Sequence, residues 1–292
     1  MGRLGYQSDA QASLAVSYNS LESYAASLHE ALTRPYPPYE AIGIKNLGGE
    51  YNQLATTLLQ IENEFYGTIR PKRVIHPGER PLHALRQRCV EYIEVRCMDL
   101  DPFVPVGIAA PTLRFLDVFL LHCLLQDSPP DTPEEIAALG RNQHRTASNG
   151  REPGLKLERD GREVSLVDWA LELLDQCAPL AAGLDSTHGS TDYSAALQAA
   201  RAGLLEMDTL PSARVLATLK ADFGSSYTAF IRAQSVQTQQ HLMALPWAAE
   251  QQAAFEALAR ESLDRRRAIE ATDTVDFETF RQAYLAPQNL SV

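Results

Sequence analysis

Helical spacing dominates the sequence after Asp101 and limits the fold more than any other feature. Apolar residues there recur every three or four positions, and TLRFLDVFLLHCLL is apolar on nearly every side, which predicts a buried helix over 112–125. The run TPEE is a capping box that starts another helix at Pro133, and SLVD is a similar start at Ser165. Further helices are predicted over 211–222, 226–245, 246–271 and 276–285.

Before Asp101 the chain mixes helix and strand. Residues 19–33 have helical spacing behind Asn19, a suitable cap, and the prolines that follow end this helix. Two runs alternate as strands do: 58–74, and the stretch YIEVRC that begins at Tyr92. In the first run Glu62, Glu64, Tyr66, Thr68 and Arg70 share one side.

The YIEVRC strand is predicted to have one apolar and one charged side. Successive side chains of a strand point to opposite faces, so Ile93, Val95 and Cys97 lie together, and Tyr92, Glu94 and Arg96 lie opposite. Opposite charges two residues apart are typical of an ordinary solvated strand surface. The same spacing also suits a charged ligand, and the strand alone leaves both interpretations open.

These patterns predict an α+β fold: part of an antiparallel sheet with a large helical C-terminal layer. The predicted division is 1–107 for the sheet with its flanking helix and 108–292 for the helical region packed on it, as one continuous domain. The longest break in pattern, 146–164, is polar and glycine-rich and is predicted to be a surface loop or linker.

Composition excludes several classes of function. A net charge of −11 argues against nucleic acid and anionic membranes, because both need a basic surface. The longest apolar stretch, VFLLHCLL, is far shorter than the roughly 20 residues that span a bilayer. The four cysteines have no zinc spacing, and the N-terminus has no signal-peptide core, so a soluble, cytoplasmic chain is predicted. The sequence contains no phosphate loop of the GxxxxGK[ST] type, and its seven histidines are scattered.

Three motifs in one order carry a family resemblance: RLGYQS from Arg3, LQIENEFYGTIRPKR from Leu59 and EYIEVRCMDLDPFVPVG from Glu91. Together they resemble the proteobacterial glutamate–cysteine ligases, which make γ-glutamylcysteine for glutathione. The run NGREPGL from Asn149 is similar to a later family motif. The E-x-R strand is also similar to that of the more distant glutamine synthetases, so the resemblance implies a sheet of the glutamine-synthetase-like type.

The resemblance implies a site and a reaction. Glu94 would be a metal ligand, Arg96 a catalytic phosphate ligand and Arg70 a weaker ATP contact. Tyr6 and Tyr66 match family tyrosines that line the cysteine pocket. The implied cofactors are ATP and Mg²⁺, with Mn²⁺ as an alternative, and the implied substrates are glutamate and cysteine. Magnesium takes carboxylates together with substrate phosphates, and an arginine fork stabilises a transferred phosphoryl group.

The resemblance further implies that this chain is the C-terminal part of a longer enzyme. With the rest of the sheet absent, a strand edge and an apolar face are expected to be uncovered. Residues 1–292 are then expected to form no γ-glutamylcysteine alone. Two alternatives stay open: a non-catalytic helical interaction module or remnant of the ligase, and a purely structural role for the two strands.

Overall fold

The computed structural model of the chain describes residues 10–11, 14–96 and 98–290. Helices predominate, and the strands form two antiparallel pairs, as the α+β prediction requires. The α-helices of the described residues are α1 (Leu21–Thr33), α2 (Pro37–Ile42), α3 (Pro81–Arg88), α4 (Ala110–Leu125), α5 (Pro133–Asn149), α6 (Leu166–His188), α7 (Asp192–Leu205), α8 (Pro211–Asp222), α9 (Tyr227–Met243), α10 (Ala249–Thr272) and α11 (Phe277–Leu285). The strands are β1 (Ile69–Lys72), β2 (Tyr92–Val95), β3 (Lys156–Arg159) and β4 (Arg162–Ser165).

The chain divides into two compact units that interleave along the sequence. One contains the described residues of 1–99, 118–183 and 280–292, and the other contains 100–117 and 184–279. The predicted division between 107 and 108 stays a prediction. None of the helices formed by the described residues combines the length and the apolar character that crossing a membrane requires.

The core of the first unit lies between α1, α3 and the segment that joins α2 to β1. It contains Tyr24, Leu28, Leu59, Phe65 and Leu82, and Leu290 from the far end of the described chain packs into it. Each buried leucine contributes about 1.5–3 kcal/mol relative to an exposed one. Helix α1 is capped by Ser20 instead of the predicted Asn19, because the Asn19 side chain accepts a hydrogen bond from Asp131 N at 2.6 Å.

The strand predicted over 58–74 is confirmed only at its end, over Ile69–Lys72. Leu58 and Leu59 enter the core, and Glu62–Glu64 form a 3₁₀ turn. Glu62 is buried in this turn instead of sharing a strand face with Arg70, because an ion pair with Arg80 compensates its charge. Alternation cannot distinguish a strand from a turn whose charged residue points inward.

Strand β2 forms where it was predicted and pairs with β1 in antiparallel register. Arg70 lies opposite Glu94, and Lys72 lies opposite Tyr92. The apolar side of β2 is exposed: Ile93 is 45% and Val95 37% accessible, as expected for an uncovered face. Cys97, the third predicted residue of that side, lies outside the described residues.

Helix α4 forms as predicted, but its predicted burial is wrong. Its buried residues are Val118 and His122, whereas Leu121, Leu124 and Leu125 are exposed. The apolar composition of a helix shows that it can be buried without showing that anything covers it. The predicted start of α5 is confirmed, since the Thr132 hydroxyl accepts from Glu135 N at 3.2 Å.

The surface loop predicted over 146–164 is also wrong. Helix α5 continues to Asn149, and β3 and β4 then form a hairpin whose two turn residues, Asp160 and Gly161, have φ of 51° and 71°. Asp-Gly is the sequence signal of this turn, in which both central residues must adopt positive φ. The signal was present and was missed.

The second unit has its own aromatic cluster. Phe230 of α9 is fully buried, and the rings of Phe103, Phe223 and Tyr227 lie 5.7–6.4 Å from its ring. Helix α7 was not predicted, whereas the predicted α8, α9 and α10 are confirmed. No residue of α10 is buried, and Phe255, Leu258 and Ile269 are exposed along it.

Candidate functional site

The β1–β2 pair gathers charged side chains around one carboxylate. Glu94 Oε2 lies 4.0 Å from Arg70 Nη1 and 4.0 Å from Arg96 Nε, and Lys72 Nζ lies 3.8 Å from the same oxygen. Arg70 lies opposite Glu94 in the pairing of β1 with β2. Arg96 comes two residues after Glu94, so the Arg96 and Glu94 side chains point to the same side of the strand. Three cations therefore converge on a single negative charge.

This cluster is close but not hydrogen-bonded. Glu94 Oε2 and Arg96 Nη1 are buried atoms without a hydrogen-bond partner among the described residues. Buried polar atoms are normally hydrogen-bonded. Buried polar atoms that lack a hydrogen bond often belong to a site that completes its contacts with a ligand or an ion. The excess of positive charge makes an anion the chemically suitable ligand.

Tyr66 lies beside Arg96, as the predicted site requires. The Arg96 guanidinium carbon lies 5.6 Å from the centre of the Tyr66 ring, and Arg96 N donates to Thr68 O at 2.7 Å. The structure thus brings together four of the predicted residues: Glu94, Arg96, Tyr66 and Arg70. The fifth, Tyr6, lies outside the described residues.

The turn that presents Tyr66 is held by close packing of the Tyr18 and Phe65 side chains against Gly67. A Cβ on Gly67 would come within 2.5 Å of the Tyr18 hydroxyl and 3.0 Å of the Phe65 ring, so only glycine fits without a shift. The Tyr18 hydroxyl donates to Ile69 O at 3.0 Å, and Tyr66 N donates to the Gln11 side chain at 3.1 Å. Gln11 and Gly67 are supporting residues that the sequence did not reveal.

Arg70 joins the cluster to the interior. Its Nη2 donates to Glu62 O at 2.6 Å, and its positive charge lies near the Tyr24 hydroxyl. Burial raises the pKa of Tyr24 to about 12, although the nearby Arg70 lowers it somewhat. The phenol is therefore neutral at physiological pH and places no negative charge beside Arg70.

A fully bonded ion pair lies behind Arg70. Arg80 donates to Glu62 Oε2 through Nε at 2.9 Å and Nη2 at 2.7 Å, and Leu82 N donates to Glu62 Oε1 at 3.2 Å. Arg80 Nη1 donates to Tyr284 O at 2.9 Å, and its guanidinium lies 4.7 Å from the centre of that ring. This buried pair fixes the carbonyl of Glu62 that holds Arg70.

The donor set fits a metal ion only in part. Glu94 supplies the hard oxygen that Mg²⁺ prefers, and its Oε2 has no hydrogen bond that an ion would have to replace. Within the part of the chain that the structure describes, no group of three or more His, Cys, Asp or Glu side chains is placed to hold a metal. Glu94 can therefore serve as one ligand of a site completed by other groups, such as phosphate oxygens.

Comparison with known proteins assigns the chain to a family. The model of the glutamate-cysteine ligase family matches residues 1–146, half of the chain. The chain belongs to this family. Glutamate–cysteine ligases of Janthinobacterium sp. (strain Marseille) and Azotobacter vinelandii are 49% and 48% identical to it, over 99% and 98% of this chain. These matches cover 55% and 54% of the two relatives, so the chain spans about half their length.

A solved structure shares the fold of this glutamate–cysteine ligase family member. The crystal structure of glutamate–cysteine ligase from Francisella tularensis, in complex with AMP, is 33% identical and superposes with a TM-score of 0.89. The likeness covers 96% of this chain and 55% of that one. The predicted fold class and family are thereby confirmed.

Proposed function

We propose that the protein to which this chain contributes joins the γ-carboxyl of L-glutamate to the amine of L-cysteine at the expense of ATP. The observation that carries the proposal is the cluster at Glu94, where cations surround a carboxylate without hydrogen bonds. The family match and the AMP bound by the Francisella relative support a nucleotide here. Because one substrate is a thiol, the reducing cytoplasm is the proposed compartment.

Each predicted residue that the structure describes has a role that its position supports. Arg96, with a free Nη1, would bind the transferred phosphoryl group, and Arg70, held by the Glu62 carbonyl, would add a second positive charge. Tyr66, beside Arg96, would line the cysteine pocket together with Tyr6. This arrangement would place the cysteine amine next to the acyl phosphate of glutamate, and positioning of this kind supplies a large part of rate acceleration.

The proposed cofactors are ATP and Mg²⁺, with Mn²⁺ as an alternative ion. Glu94 would be one ligand of the ion, and phosphate oxygens would complete its shell. The bound ion neutralises charge that develops on the phosphates. The role of this chain would be to orient the phosphates with Arg96 and Arg70 and to hold the cysteine substrate near Tyr66.

The test uses this chain alone and a fusion of it to the portion of the Janthinobacterium relative that it does not match. We expect the fusion, and not the chain alone, to form γ-glutamylcysteine from glutamate, cysteine and ATP. In the fusion, Glu94→Gln should lower ADP release by several orders of magnitude, because it alters a ligand of the ion. Arg96→Lys should fold normally and lose activity, because lysine lacks the planar two-pronged donor.

Two matched variants control for changes of charge and shape alone. Glu163→Gln and Arg162→Lys make the same substitutions at exposed positions of the β3–β4 hairpin and should leave ADP release unchanged. Activity of Glu94→Gln within about threefold of the parent fusion would contradict the metal assignment. A folded fusion that forms no product would contradict the proposed reaction itself.

One observation favours a second candidate function. The exposed apolar residues of α10 suit a surface that binds another protein, as in the non-catalytic interaction module. In that case the substitutions at Glu94 and Arg96 would have no effect on the function of the protein. The ADP-release assay therefore distinguishes the two candidates.

A further inference from the structure

Lys72 is the cation of the cluster to which neither the sequence nor the family match gave a role. It is the last residue of β1, two positions after Arg70 and on the same side of the strand. Its Nζ lies 3.8 Å from Glu94 Oε2, and its side chain is about one-third exposed. This lysine therefore borders the same charged centre and is open to a ligand from solvent.

The other arginines near the sheet are already engaged. Arg73 lies 3.5 Å from Glu91 and donates to Arg88 O, and Arg88 donates to both oxygens of Glu79 at 2.6 and 2.8 Å. Each of these two arginines has a carboxylate of its own. Arg70, Lys72 and Arg96 instead share Glu94, and none of the three comes closer to it than 3.8 Å.

The charge balance then identifies the kind of ligand. Three cations around one anion leave an excess of two positive charges, so a ligand with at least two negative charges fits the cluster. A chain of phosphates has this charge and can contact Lys72, Arg70 and Arg96 with different oxygens. A divalent metal ion by itself is repelled by the same excess, because like charges at these distances disfavour each other.

We propose that Lys72 is a further phosphate-binding residue, and that the Arg70–Lys72–Arg96 cluster binds a polyphosphate chain beside Glu94. The inference rests on the proposed function, since ATP would be the polyphosphate of the reaction. It adds a residue to the site and a reason for the spacing of the IRPK strand, in which Arg70 and Lys72 face the ligand together. Lys72 contributes as a point charge, while the two arginines supply fixed donor forks.

The test measures binding of inorganic tripolyphosphate to this chain by isothermal titration calorimetry without added metal. Lys72→Gln should weaken binding about tenfold, the usual scale for loss of one charge-assisted contact. Lys72→Arg should restore most of the affinity, because it keeps the charge. Lys156→Gln is the matched control, because Lys156 also pairs with a glutamate of the neighbouring strand, Glu163, at 3.8 Å. Lys156 is far from the cluster in sequence, so this substitution should leave the affinity for tripolyphosphate unchanged.

Each outcome decides the proposal. Equal affinities of the parent chain and Lys72→Gln, or a parent chain that does not bind tripolyphosphate, would overturn it. Circular dichroism and thermal unfolding show whether the Lys72→Gln variant is folded. If it is unfolded, the tripolyphosphate affinity of the Lys72→Arg variant is the measurement that remains. If tripolyphosphate binds as predicted while the fusion makes no γ-glutamylcysteine, the phosphate site stands and the proposed reaction fails.

Discussion

Two glutamates of the same unit, Glu62 and Glu94, both lie next to arginines and both connect to Arg70, yet their surroundings differ. Glu62 is 3% exposed and accepts hydrogen bonds of 2.7–3.3 Å from Arg80 and Leu82 N. The side chain of Glu94 is 39% exposed, and its cations remain 3.8–4.0 Å away. One carboxylate is fully satisfied by the protein, and the other is surrounded but not bonded.

The difference separates a charge that holds the fold from a charge that is available to a ligand. A buried ion pair is tolerable only when hydrogen bonds replace the lost water, as they do at Glu62. A carboxylate held near cations without such bonds keeps oxygen lone pairs available to a new partner. Arg70 links the two, because its Nη2 bonds Glu62 O while its Nη1 faces Glu94. The stable pair thus orients one cation of the open cluster.

The largest expected effect comes from breaking the satisfied pair. Arg80→Ala leaves Glu62 buried without its cation and removes the donor to Tyr284 O, so it should destabilise the chain by about 3–5 kcal/mol. Urea unfolding measures this loss. Arg34→Ala, which removes an exposed pair with Glu30 in α1, is the control and should cost less than about 1 kcal/mol. A loss below 1 kcal/mol for Arg80→Ala would remove the distinction between the two glutamates.

A much smaller effect on stability is expected at the open carboxylate. Glu94→Gln breaks no hydrogen bond among the described residues and should change the free energy of unfolding by no more than about 1 kcal/mol. The same urea titration measures it beside Glu62→Gln, which should be clearly less stable. Equal losses for the two variants would show that Glu94 also serves the fold.

The smallest effect concerns a third pair, Glu79 with Arg88. Hydrogen bonds from Arg88 and from the His76 backbone lower the pKa of Glu79 from 4.5 to about 2. A pKa lowered by folding means that the stabilisation is complete above pH 4.5 and is lost as the pH falls towards 2. The stability difference between the parent chain and Glu79→Gln should therefore shrink across this interval. Urea midpoints at pH 6 and pH 3 compare the two, and an unchanged difference would contradict the shift.

The sequence predicted the open cluster better than the satisfied pair. Alternation placed Glu94 and Arg96 on one face of the predicted strand, and in the structure Glu94 lies near Arg70 while Arg96 lies beside Tyr66. In the run 58–74, alternation also placed Glu62 on the face of Tyr66 and Arg70, wrongly, because the partner of Glu62, Arg80, stands 18 residues further along the chain. Local periodicity reports the direction of neighbouring side chains and carries no information about a partner brought in by tertiary folding.

The same limit explains the other differences. The Asp160–Gly161 hairpin was available as a local signal and was overlooked, whereas the exposure of α4 could not be read locally, since it depends on what packs against the helix. Lys72 was missed because a lysine on a strand is ordinarily solvated. Only its distance to Glu94, set by the pairing of β1 with β2, distinguishes it.

The hydrogen bonds from Arg80 and Arg86 to Tyr284 and Leu290 have a consequence for protein synthesis. Arg80 donates to Tyr284 O and Arg86 to Leu290 O, each across 204 residues of sequence, and Leu290 is almost wholly buried. A ribosome adds about 5–20 residues per second, so each acceptor residue is synthesised roughly 10–40 seconds after the arginine that bonds it. Throughout that interval the segment with Tyr284 and Leu290 is missing, so the nascent Glu62–Arg80 pair and the leucines near it are incompletely buried. Chaperones that bind exposed apolar segments therefore have a defined window in which to act on this chain.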